Sequence, residues 1–126
     1  MDPIVFITHS RVRDGQLGAL RAFLADGVPG IERDKPRTLA FLPYVDDAGA
    51  EVTIVHVFAD APSMAAHFQG LRERMAGAAP HIETIGYEVY GKPDTDVLGM
   101  LAWLAKDGVT LRVTPDFATG YLRLGR

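Results

Sequence analysis

Residues 51–62 read Glu51-Val52-Thr53-Ile54-Val55-His56-Val57-Phe58-Ala59-Asp60-Ala61-Pro62, and this stretch decides the fold. From Val52 to Phe58 the residues are almost all β-branched or aromatic, the composition of a strand. Asp60 then offers a helix N-cap, and Pro62 is tolerated in a first helical turn. Met64, Phe68, Leu71 and Met75 follow at spacings of three and four, so an amphipathic helix is expected, stopped by Ala79-Pro80. On the upstream side, Asp46-Asp47-Ala48-Gly49 is turn chemistry, which makes a hairpin of this strand and the apolar run Arg37–Val45.

The pattern extends outward in both directions. Ile4–Ser10 has strand composition and is closed by Arg13-Asp14-Gly15. Asp14 can cap a helix carrying Leu17, Leu20, Leu24 and Val28, for which Val28-Pro29-Gly30 is the expected end. Glu83–Tyr90 is a fourth strand. The order is βαββαβ: an α+β domain over residues 1–126, with a core at 3–92 and an extension at 93–126. In the extension, Thr95 or Asp96 can cap a helix whose stripe is Val97, Met100, Leu101 and Leu104, with Leu98 and Trp103 on its flanks and Asp107-Gly108 at its end. Val109–Val113 and Thr119–Leu124 alternate like a hairpin around Pro115-Asp116.

Strand side chains alternate between faces, and both faces are apolar here. One face of the third strand holds Val52, Ile54, His56 and Phe58, the other Thr53, Val55 and Val57. The first strand divides into Ile4, Phe6 and Thr8 against Val5, Ile7 and His9. An antiparallel sheet with one solvated face alternates more cleanly. Right-handed crossovers place both core helices on a single face. The second face therefore calls for a cover, either a second copy of the chain or residues 95–126. An uncovered apolar sheet would forgo several kcal/mol at roughly 25 cal/mol per Å² and invite association.

Composition narrows the class. With 126 residues, 48% apolar and 23% charged, the chain can bury a real core. A net charge of −3 argues against nucleic acid or anionic membrane as partner. The absence of cysteine excludes disulfides and a thiol nucleophile and suits the cytoplasm. Neither a dinucleotide glycine motif nor a nucleophile-elbow serine is present.

Val55-His56-Val57-Phe58-Ala59-Asp60-Ala61-Pro62 with His67 downstream, the strand end Tyr90-Gly91, and the late Gly120-Tyr121-Leu122-Arg123 resemble the antibiotic biosynthesis monooxygenase-like domains. The resemblance implies a ferredoxin-like fold, two sheets joined as a dimeric α/β barrel, and a cavity between sheet and helices in each subunit. Members of that family include cofactor-independent oxygenases of aromatic polyphenols, haem-degrading enzymes and many proteins with no assigned activity, so the resemblance implies one of these. The chain departs from the family's active patterns. Phe58 stands where tryptophan is frequent, and the chain has no asparagine at all, so the asparagine-dependent sites of the haem-degrading and antibiotic-tailoring members are missing.

The candidate catalytic pair is His9 and His56. Both lie towards the ends of strands expected to be parallel central neighbours, where a histidine can take a proton from a phenol or enol. The bland alternative is two core-edge histidines satisfied by hydrogen bonds. No third ligand stands at metal spacing, so no metal is expected. Tyr44, Phe58, His67, Tyr87 and Trp103 are the candidate substrate contacts. Against this stand sheet packing for the tyrosines, a structural hydrogen bond for His67, and a core or dimer contact for Trp103. The reading that follows is a small-molecule enzyme, an oxygenase or a related proton-transfer enzyme on a polyketide- or quinol-like substrate. The alternative is a domain that only binds a hydrophobic small molecule.

Overall fold

The computed structural model describes residues 2–123. Its elements are β1 (Ile4–Val12), α1 (Leu17–Asp34), β2 (Thr38–Val45), β3 (Glu51–Phe58), α2 (Ala61–Phe68), α3 (Leu71–Ala78), β4 (Ile82–Tyr90), α4 (Thr95–Leu104) and β5 (Thr110–Thr114). The sheet order is β2-β3-β1-β4-β5. The first four strands are mutually antiparallel where they pair, and β5 joins β4 in parallel. The βαββαβ core is as expected, and the open sheet is five-stranded and mixed.

β1 and β3 pair antiparallel, not parallel. The crossover through α1 makes β1 and β2 run the same way, and the tight Asp46–Gly49 turn then reverses β3. Register follows from this pairing: Phe6 faces His56, and His9 faces Thr53. Ile4, Phe6, Thr8 and Ser10 thus share the helix-covered face with Val52, Ile54, His56 and Phe58. Val5, Ile7 and His9 share the other face with Thr53, Val55 and Val57. A bulge in β2 between Thr38 and Ala40 brings Thr38 opposite Phe58, on the helix side.

Several boundaries differ from expectation. The first helix begins at Leu17, with Gln16 rather than Asp14 as cap, and runs through Pro29 to Asp34. Proline lacks the N–H for one helical bond, but the helix continues unbroken through it, with Val28 and Ile31 on either side of it lining the cavity. The second helix is two helices. Its Asp60 cap holds, with the carboxylate accepting from the Ser63 amide at 2.9 Å, but Gly70 at φ +78° interrupts the run. Asp94, not Thr95 or Asp96, caps α4 by accepting from the Val97 amide at 2.8 Å. β5 has no hairpin partner: residues 119–123 form no strand, and 124 lies outside the described residues.

All helices that bury residues do so on one face, but unevenly. α2 and α4 press onto the sheet through Met64, Phe68, Val97 and Leu101, against Ile4, Phe6, Phe58 and Val89. In α1 only Leu20 is buried, and in α3 no residue is. One half of this face is therefore solid and the other half is hollow. The C-terminal extension splits accordingly. α4 joins the solid half, β5 lengthens the sheet, and residues 112–123 are all exposed, Phe117, Tyr121 and Leu122 among them. The second sheet face is left without cover from its own chain. Among the described residues no helix is long and apolar enough to cross a membrane.

The uneven packing has a measurable signature. Phe58→Ala should lower the unfolding free energy by about 3–5 kcal/mol, the cost of an aromatic cavity in a dense core. Phe23→Ala, on the stood-off α1, should cost less than half of that. Urea denaturation of the two variants beside the parent tests the difference; equal losses would contradict the division.

Candidate functional site

The hollow half encloses a cavity of about 430 Å³ between the sheet, α1 and α3. Ligand sites commonly fall within ~300–1,000 Å³, mostly apolar with a few placed polar groups. The lining fits this description. Phe6, Leu20, Phe23, Leu24, Val28, Ile31, Phe41, Ile54 and Met75 supply apolar wall, while Ser10, Thr84, Tyr87, His56, His67 and Arg74 supply the polar groups.

His56 sits at the boundary between the solid and hollow halves. It is 4% exposed and ringed by Phe6 at 4.9 Å, Phe41 at 5.0 Å and His67 at 5.1 Å between ring centroids. Its Nδ1–H donates to the Phe6 carbonyl at 2.9 Å, which leaves the lone pair on Nε2. Burial pushes its pKa down to about 4, so the ring is neutral at physiological pH. His67, from α2, shares a hydrogen bond of 2.7 Å between its Nδ1 and the Thr38 hydroxyl, reached through the β2 bulge. Burial, reinforced by His56, Arg74 and Lys35, takes its pKa down to about 3.

Arg74 occupies the α3 side of the wall. Its guanidinium donates to the carbonyls of His67 at 2.5 Å and Gln69 at 3.0 Å, and burial lowers its pKa. Tyr87 is 5% exposed, and burial raises its phenol pKa.

The two proposed catalytic histidines do not meet. His9 lies on the uncovered face, where its Nε2–H donates to the Glu88 carboxylate at 2.5 Å and the Tyr90 hydroxyl donates to the other carboxylate oxygen at 2.7 Å. The hydrogen bond from His9 holds the Glu88 carboxyl below its ordinary pKa. The antiparallel register separates the pair: opposite His56 stands Phe6, and three residues further along β1 His9 points the other way. His56 finds His67 instead. Of the candidate substrate contacts, His67 and Tyr87 line the cavity, and Phe58 backs His67 at 5.4 Å from within the solid core. Tyr44, at 58% exposure, pairs with Thr53 on the open face, and Trp103, equally exposed, carries Lys106 over its ring. Arg74 was missed because an Arg-Glu-Arg run on a helix reads as a solvated surface. Among the described residues no three histidine or carboxylate side chains are grouped to hold a metal ion.

By sequence, neither a family model nor a curated protein matches the chain. Solved structures do. MupZ from Pseudomonas fluorescens superposes with a TM-score of 0.77 at 18% identity, covering 98% of this chain and 96% of its own. The chain has the antibiotic biosynthesis monooxygenase-like fold. SnoaB, a cofactor-independent oxygenase from Streptomyces nogalater, matches at TM-score 0.60 and 12% identity over 75% of this chain and 97% of its own. A Chloroflexus aurantiacus protein named as an antibiotic biosynthesis monooxygenase matches at 0.56 and 21% over 70% and 90%. The shares of about 70–75% are the size of the β1–β4 core, whereas the match to MupZ takes in the extension as well.

Two buried neutral imidazoles make the fold pH-sensitive. The folded pKa values, about 4 for His56 and about 3 for His67, lie below the ordinary 6.5 of an unfolded chain. The unfolded state therefore binds protons first. Stability is full above pH 6.5 and is lost as pH falls towards 4, by roughly 2 kcal/mol per ring between pH 7 and 5. Urea midpoints measured across this range should show the slope, and His67→Gln should remove about half of it.

Proposed function

We propose that the chain is a cofactor-independent oxygenase-like enzyme that takes an aromatic, polyketide- or quinol-like substrate into the cavity between the sheet and α1/α3. The observation that carries this reading is His56: a neutral imidazole, tautomer fixed by the Phe6 carbonyl, with its remaining lone pair on Nε2 and its ring on the wall of an apolar cavity. The fold shared with an oxygenase that works without a cofactor supports it.

The chemistry asks little of the protein. His56 Nε2 takes a proton from the substrate, and the resulting enolate or phenolate carbanion gives electrons to dioxygen. For an anthrone-type methylene, one oxygen atom becomes the new carbonyl and the other leaves as water with the two methylene hydrogens. The substrate itself is the reductant. A low pKa for the free imidazolium does not oppose this step: desolvation disfavours the isolated cation, but an imidazolium formed beside a new anion is half of an ion pair. His67 and Tyr87 would orient the ring oxygens. His9, Tyr44 and Trp103 have no part in the cavity.

The open sheet face supports a homodimer. Val5, Ile7, Val55, Val57 and Leu42 lie there uncovered by any helix, and the exposed Phe117, Tyr121 and Leu122 of the tail offer further apolar area. Two such faces joined would seclude more apolar surface than an isolated chain can tolerate in water. The lack of cysteine fits the cytoplasm as its compartment.

A second reading, a carrier that binds a hydrophobic small molecule unchanged, is favoured by the missing asparagine and the Phe58 that stands for tryptophan. Native mass spectrometry on protein from its own host separates the two, since a ligand recovered intact speaks for the carrier.

Oxygen uptake over a panel of hydroquinones and anthrones should be detectable with the parent and should fall by about 10²–10⁴-fold in His56→Ala, while His9→Ala keeps most of it. No uptake by the parent on any of these substrates would sink the oxygenase. Sedimentation velocity should give a dimer for the parent and a monomer for Val55→Arg; a monomeric parent removes the barrel.

A further inference from the structure

We propose that Arg74 selects a singly anionic ligand, so that the cavity takes an apolar ring system carrying a carboxylate, sulfonate or ionised enol at one end. This deepens the cavity reading above and rests on it.

Arg74 has an obvious structural duty. Its two amino nitrogens donate to the carbonyls of His67 and Gln69, at the C-terminal end of α2, where a cation is favourable. That duty is already covered. Lys35 Nζ reaches the same helix end, donating to Ala66 O at 3.0 Å and Gln69 O at 2.8 Å. A guanidinium has five N–H donors in a planar fork, and the two carbonyls use only two of them.

The guanidinium forms no ion pair with any carboxylate among the described residues. Among the described residues, Arg11, Arg33, Arg37 and Lys92 each have a carboxylate within ion-pair distance, whereas Arg74 has none. Its neighbour Glu73, exposed and lining the same cavity, offsets part of that charge but forms no ion pair with it. The other titratable groups on the cavity lining are Glu73, Tyr87 and the neutral His56 and His67, whose rings its positive charge helps to keep unprotonated. A half-buried cation on a mostly apolar wall, with two neutral imidazoles and no paired carboxylate, is costly unless an anion completes it. A ligand anion would do so with two parallel hydrogen bonds to the fork. Its other end would meet Leu20, Leu24 and Phe23.

The test uses two fluorescent probes of the same aromatic frame on the full chain: anilinonaphthalenesulfonate, an anion, and N-phenyl-1-naphthylamine, its neutral counterpart. The parent should bind the anion at least about tenfold more tightly. Arg74→Gln should erase that preference while changing the neutral probe's Kd by less than about twofold, and Arg74→Lys should restore part of it. Thermal melts of each variant report the loss of the α2 contacts separately. The proposal is overturned if the parent binds neither probe, if it binds both equally, or if the preference survives in Arg74→Gln. Oxygen uptake plays no part in this readout. A chain that prefers the anion but never consumes oxygen would keep the Arg74 assignment and lose the oxygenase.

Discussion

The arrangement depends on one constraint: the helices cover a single face of the sheet, and only half of that cover is in contact. α2 and α4 are clamped to the β-layer by Phe58, Phe6 and Ile4, all nearly inaccessible to water. That clamp fixes the short β3–α2 turn and with it the distance of α3 and α1 from the sheet. Gly70, in the left-handed region, ends α2 and redirects the chain. α3 then leans away instead of continuing along the sheet. The cavity is thus a consequence of where the solid core stops.

His56 belongs to both regions. Its backbone is part of the strand that the solid core immobilises, and its Nδ1 is tied to the carbonyl of the neighbouring strand. Only the ring edge bearing Nε2 remains to meet a ligand. In the base role proposed for it, a ring held in this way would need no reorganisation when a proton arrives, which is what a preorganised site contributes to catalysis. His67 is held from a different direction, by Thr38 across the β2 bulge. The bulge matters because without the extra residue Thr38 would point to the opposite face.

The sequence disclosed the alternation within each strand, the hairpin turn, the Asp60 cap and the apolar character of both sheet faces, because each is a local property. It did not disclose which group of one strand shares a face with which group of another. Val5-Ile7-His9 and Ile4-Phe6-Thr8 are both apolar enough to face a core, so parity alone leaves His9 and His56 free to be placed together. Register across β1 and β3 is set by the sense of the crossover and the length of the turn, and it parts them. α1 was cut short for a different reason. Pro29 and Gly30 are strong local stop signals, yet the helix carries on to Asp34 with Val28 and Ile31 lining the cavity. Arg74 could not be recognised at all from the sequence, since its meaning lies in its place on the cavity wall at the end of α2.

The open face gives His9 a setting distinct from that of the cavity. With Glu88 and Tyr90 it forms a small polar chain beside the apolar Val5, Ile7, Val55 and Val57, Arg112 stands opposite Glu88, and Thr53 lies within 3.4 Å of its Nδ1. Each group of that chain spends its hydrogen bonds on another member, so the cluster can be buried against a second sheet without leaving a polar atom unpaired. An isolated histidine at that position would oppose dehydration of the face. The cluster's internal hydrogen bonds would let it be buried in the dimer proposed above. The same residue type therefore does two kinds of work in this chain. On the helix side a buried neutral ring keeps Nε2 free of a protein partner, and on the open side His9 is bound to Glu88 and Thr53.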